Sequence, residues 1–133
     1  MDMQKTITPI NNTLYLERPY LEIKQIDNIL ENSQKAFKVW RETKIHERIQ
    51  VVNKFIDNMI SLTDEVKKEI CWQIGRPISQ CGSELRGFEE RSRYMAEVAE
   101  ECLSDISARN NEEFDNYIFK APLGVIFIMA PWN

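Results

Sequence analysis

The chain has 133 residues, 43% of them hydrophobic and 29% charged, with a net charge of −4. That length suits one soluble globular domain. The acidic balance excludes a nucleic-acid footprint and a binder of acidic membranes. An odd set of cysteines (Cys71, Cys81, Cys102) with no C-x-x-C pair excludes a disulfide framework, and with His46 as the one histidine no zinc site has a ligand set. Met1 to Lys5 lacks the apolar core of a signal peptide, and no apolar stretch is long enough to cross a bilayer, so a reducing cytoplasm is the expected location.

Residues 1–20 are weakly patterned. Thr6–Thr8 and Thr13–Leu16 suit short strands around Pro9 and an Asn11-Asn12 turn, and Pro19 marks the approach to a helix. Ile23, Ile26, Leu30, Ser33, Phe37 and Trp40 recur at three- and four-residue steps, the face of a first helix. Ile45, Ile49, Val52, Ile56 and Met59, widened by Phe55, carry a second. Thr63 followed by Asp64 and Glu65 reads as an N-cap with acids in the first turn of a third helix. That helix runs to about Ile74, where Gly75 and Pro77 stop it.

Gln80-Cys81-Gly82-Ser83 reads as the next break, with Cys81 in a turn and the most exposed of the three thiols. From Ser83 a long helix places Leu85, Phe88, Ser92, Met95, Ala99 and Cys102 on one face and ends between Leu103 and Ser107. Cys71 and Cys102 are then expected to be buried, inert thiols. Residues 108–116 form a polar loop, and Asn116–Lys120 a strand with Tyr117 and Phe119 pointing one way.

Val125 to Met129 is a short, unbroken apolar run between Pro122-Leu123-Gly124 and Pro131. It fits a strand buried on both faces, the kind found in parallel sheets covered by helices. Pro131-Trp132-Asn133 then lies at the strand's carboxyl end, where open α/β sheets hold ligands. Several helices followed by strands also suit a helical domain with a β tail. The two-sided strand, with no helix or neighbouring strand after it to cover it, favours the front part of a larger α/β enzyme.

Two patches carry a resemblance. Ala121-Pro122-Leu123-Gly124-Val125 and then Ala130-Pro131-Trp132-Asn133 resembles the P-L-G-V…P-W-N signature of the NAD(P)-dependent aldehyde dehydrogenase superfamily. Gly75-Arg76-Pro77, Glu84 and Arg93-Tyr94-Met95-Ala96 is similar to that family's G-K-P…E…R-Y-x-A pattern, in the same order. The likeness runs from about Ile23 to Asn133, well under half of a family member.

The resemblance implies an α/β fold, the N-terminal part of an aldehyde dehydrogenase, with helices flanking an incomplete Rossmann-type sheet plus a strand of the oligomerisation arm. Residues 1–107 are then the mainly helical part of the cofactor-binding domain, 108–121 the arm strand that pairs subunits, and 122–133 the first, truncated strand into the NAD(P)-binding core. Residue chemistry alone makes Asn133 a turn residue. The resemblance makes it the amide donor that stabilises charge on the former aldehyde oxygen. It also places Met129, Pro131, Trp132 and Asn133 against NAD or NADP.

The family's nucleophilic cysteine lies further along, in a glycine-rich context that Cys71, Cys81 and Cys102 lack, and no G-x-G-x-x-G is present. The expected reaction is oxidation of an aldehyde to a carboxylic acid by a homo-oligomer when full length, with this chain inactive alone. The alternative is a non-catalytic fragment that pairs with a full-length relative or with the missing remainder.

Overall fold

The computed structural model describes residues 2–108 and 113–130. The chain opens with an antiparallel hairpin, β1 (Met3–Ile7) and β2 (Leu14–Pro19), in which Met3 faces Pro19 and Thr6 faces Leu16. Its turn is closed by Thr8 N–H donating to the Thr13 carbonyl at 2.9 Å, and Asn12 takes a positive φ of 59°, which its short polar side chain tolerates. Both expected strands are present, each longer than the pattern suggested.

Helices α1 (Ile23–Trp40), α2 (Ile45–Ser61) and α3 (Thr63–Ile74) follow the apolar periodicities. Thr63 is not the N-cap of α3: Leu62 holds that place, and the Thr63 hydroxyl donates back to the Ile60 carbonyl. The reason is the abrupt α2–α3 junction, which turns in a single residue and leaves the hydroxyl facing the preceding helix. Gly75 ends α3 in the left-handed conformation (φ 75°), its N–H donating to the Cys71 carbonyl at 2.8 Å.

The break expected at Gln80–Ser83 does not occur. Helix α4 runs from Ile78 to Glu97 straight through Gly82. A helical glycine costs about 1 kcal/mol in propensity, and packing overrides it here. Cys81 and Leu85 are buried, and a Cβ on Gly82 would come within 3.2 Å of Lys67 Cε, so the missing side chain lets α3 lie close. Helix α4 stops at Glu97 and a short α5 (Ala99–Leu103) completes the helical part.

Helix α4 packs against α2 and α3, and α5 against α2. Ile56 at the middle of α2 is fully buried, beside an edge-to-face pair of Phe55 and Phe88 at 5.9 Å. The hairpin docks on α3: Tyr15 stacks on Trp72 at 5.7 Å and its hydroxyl donates to Glu69 at 2.9 Å. Arg93 of α4 clamps Asp57 of α2 at 2.7 Å and Glu89 at 3.0 Å, while Arg76 pairs with Glu84. No described helix is long and apolar enough to cross a membrane.

Helix α1 stands apart. It packs closely on no other element and buries no residue, with Ile26, Ile29 and Leu30 each about half exposed. The chain as a whole exposes 11312 Å². A compact monomer of 15.7 kDa exposes about 7,300 Å².

Candidate functional site

The run that leads to the expected site is held at its entry. A two-stranded antiparallel pair, β3 (Ile106–Ser107) with β4 (Tyr117–Ile118), sets its direction. Ala108 N–H donates to the Asn116 carbonyl at 2.7 Å, and Lys120 Nζ to the Cys102 carbonyl at 2.6 Å. The strand is therefore shorter than the expected Asn116–Lys120, and it has a partner, β3, that the sequence did not announce. Tyr117 and Phe119 are both exposed.

Beyond Lys120 the backbone turns at Gly124 (φ 116°), and residues 121–130 carry no ladder. The strand expected to be buried on both faces is thus corrected. Phe127, Ile128 and Met129 are 83, 78 and 79% exposed, and Val125 is 45% exposed. No described residue pairs with this backbone, and Phe127, Ile128 and Met129 stay largely bare, so most of an interior pattern lies on the surface. Met129 is brought next to no described polar group. Pro131, Trp132 and Asn133 lie outside the described residues.

The thiols are also redistributed. Cys81 is fully buried, its Sγ donating to the carbonyls of Pro77 at 3.4 Å and Arg76 at 3.6 Å, a packing role inside α4. Cys102 is exposed and Cys71 half-buried, the reverse of the expected order for Cys81 and Cys102. The cause is the unbroken α4: continuing the helix through residue 81 turns that thiol inward. Helix α4 then stops at Glu97, which removes Cys102 from its buried face. Among the described residues no cluster of His, Cys, Asp and Glu suits a metal ion.

A feature the sequence reading passed over is a groove of about 440 Å³ between α2, α4 and α5, with Trp40 at its rim. Ile49, Val52 and Met95 form its walls, and Arg48 and Arg91 lie among them. Arg48 Nε is sealed from solvent with no acceptor among the described residues. The signal was present: Arg48 falls three residues after Ile45 and four before Val52, inside the apolar stripe of α2.

Comparison with known proteins matches residues 2–133 to the aldehyde dehydrogenase family. The mitochondrial succinate-semialdehyde dehydrogenase of Rattus norvegicus is 30% identical over 98 residues, which is 74% of this chain and 19% of the rat protein. The solved structure of Gox0499, described in terms of cofactor and substrate selection, superposes with a TM-score of 0.83 at 18% identity, covering 92% of this chain and 27% of that one. PnpE, solved in complex with nicotinamide adenine dinucleotide, superposes at 0.78 and 18% identity, covering 87% of this chain and 24% of its own. The chain thus spans about a quarter or less of the relatives it matches, and its fold is the α/β fold of their amino-terminal part. Motif, fold and full-length family match agree: this chain belongs to the aldehyde dehydrogenase family.

Proposed function

We propose that the chain supplies the amino-terminal part of an NAD(P)-dependent dehydrogenase that oxidises an aldehyde to a carboxylic acid. The observation that carries this reading is the family match continuing through the P-W-N motif to Asn133. In this reading residues 1–107 flank the cofactor-binding domain, 108–121 form the subunit-pairing arm, and 122–133 enter the cofactor core. The exposed Tyr117 and Phe119 beside the short β4 support an arm that seeks a partner subunit in a homo-oligomer.

Asn133 donates its side-chain amide to the aldehyde oxygen as a cysteine from outside these residues attacks the carbonyl, and so stabilises the developing charge. The P-W-N order puts Pro131 and Trp132, with Met129, among the proposed cofactor contacts. Met129 offers an apolar wall to the nicotinamide cofactor, which when bound accepts hydride from the substrate carbon. The described residues do not build a dinucleotide site by themselves. Phe127 and Ile128, which precede Met129, are exposed apolar side chains, and a pyrophosphate needs backbone N–H groups at a helix N-terminus or a glycine-rich turn. In this reading the chain alone is inactive, because none of Cys71, Cys81 and Cys102 has the glycine-rich context of the family's nucleophile.

The purified 133-residue chain is expected to show no aldehyde-dependent reduction of NAD⁺ or NADP⁺. In a chain joined to the remaining length of a relative, Asn133→Ala is expected to lower kcat by about 10²–10³-fold. Turnover by the chain alone, or an unchanged kcat in Asn133→Ala, would overturn the reading. The uncovered α1 and 123–129 run favour a second reading, a non-catalytic fragment that pairs with a full-length relative or with the remainder of the domain. Its signature is stable pairing with no gain of turnover.

A further inference from the structure

The groove between α2, α4 and α5 is built for a partner of definite chemistry. Its walls are apolar, with Val52 38%, Trp40 42% and Met95 65% exposed. Two guanidiniums, Arg48 and Arg91, stand among these side chains, and neither has an ion-pair partner among the described residues. Arg93, which follows the groove residue Ser92 on α4, is by contrast satisfied by Asp57 and Glu89. A charged donor sealed from water without an acceptor is costly enough that folded proteins rarely leave one. Arg48 Nε is such a donor. An occupant that brings a carboxylate between apolar side chains would satisfy it and fill the groove together.

The size of the uncovered surface says what that occupant is. The chain exposes about 4,000 Å² more than a compact monomer of its mass. A standard protein–protein interface covers only about 800 Å² per partner, so a peptide or a single contact with a second copy leaves most of the excess bare. Gox0499 is about three and a half times this chain's length, since 92% of this chain matches 27% of that one. Its unmatched part is large enough to cover it. We propose that the α2–α4–α5 groove is the seat for a segment of the remaining aldehyde dehydrogenase domain, and that this segment presents an Asp or Glu to Arg48. This inference rests on the proposed function. It adds the surface, the residue and the chemistry of the contact.

The test uses the Gox0499 chain without the quarter that superposes here, co-expressed with this full chain. The Gox0499 protein's own amino-terminal quarter, supplied the same way, serves as control. Association is expected, with amide hydrogen exchange slowed in residues 45–52 and 91–99. Arg48→Glu is expected to weaken association about a hundredfold, Arg48→Met less, and Lys38→Glu on the far side of α1 not at all. An Asp or Glu to Arg change in the protected Gox0499 segment is expected to restore binding to Arg48→Glu.

Failure of this chain to associate where the control quarter does would overturn the proposal. So would association without protection at the groove, or undiminished binding by Arg48→Glu. Saturable binding of decanoate to the chain, competing with nothing in the Gox0499 remainder, would also overturn it by making the groove a fatty-acid site. Association through Arg48 with no dehydrogenase turnover sinks the proposed activity and leaves the docking surface standing. Turnover that survives Arg48→Glu does the reverse.

Discussion

At the scale of single residues, two positions set local geometry that the sequence only half revealed. Gly75 was legible as a stop, because glycine after a periodic run is the residue that ends helices in the left-handed conformation. What one sequence does not show is that a Cβ there would sit 2.7 Å from Pro9 Cγ of the hairpin turn. Strain at φ 75° contributes about 1–2 kcal/mol against any non-glycine residue, and the clash adds to it. Gly75→Ala is therefore expected to destabilise the chain by about 2 kcal/mol or more and to loosen the hairpin from α3, read as a lower urea midpoint and faster exchange at residues 8–13. Tyr15 gives a pH signature. Its hydroxyl donates to the Glu69 carboxylate, and this hydrogen bond, with partial burial and the carboxylate's charge, raises its pKa above the usual 10.0. A group whose folded pKa is raised stabilises below its unfolded pKa and loses that contribution as pH rises through the folded value. The stability difference between the native chain and Tyr15→Phe should thus be constant at neutral pH and shrink only above about pH 10. Paired urea titrations at neutral and alkaline pH, with phenolate absorbance following ionisation, measure it.

At the scale of elements, hydrophobic periodicity located α1, α2 and α3 because each keeps a 3.6-residue stripe between clear breakers. It failed at Gly82 for a physical reason. The breaker signal there is worth about 1 kcal/mol, less than the burial of Cys81 and Leu85 on either side of it. That one misjudged break also inverted the reading of the thiols. Side-chain pattern cannot weigh a local propensity against a tertiary contact it does not see, and the hidden partner of β4 is the same case: Ile106–Ser107 is too short to carry an alternation. The packing of α2 on α4 gives a direct check. Ile56 is fully enclosed, so Ile56→Ala should cost about 2–5 kcal/mol and Ile56→Val about 1 kcal/mol. Thermal unfolding of both variants should show a steep drop for the first and a small one for the second. Near-equal effects would mean that α2 is not pinned through this side chain.

At the scale of the whole molecule, the run that leads to the candidate site sets its sequence pattern against its placement. Val125–Met129 carries an interior pattern yet lies largely on the surface, with no ladder partner among the described residues. The contradiction between pattern and exposure points to the part of the family domain that would resolve it. The same logic makes a prediction about the isolated chain. Phe127 and Ile128 are about four-fifths exposed, and α1 adds Ile23, Ile26, Ile29 and Leu30 to the bare apolar surface. An apolar segment with unpaired N–H and C=O groups is a template for pairing with another copy. The isolated chain should therefore bind a hydrophobic dye and self-associate as its concentration rises. Replacing Ile126 and Ile128 with lysine should suppress that association by adding charge along the segment, while helix content stays unchanged because Ile126 and Ile128 are largely exposed. Sedimentation across a concentration series, with circular dichroism on the same samples, reads both effects. A native chain that stays monomeric throughout would mean that the run finds cover within its own fold, and that the uncovered surface has been misassigned.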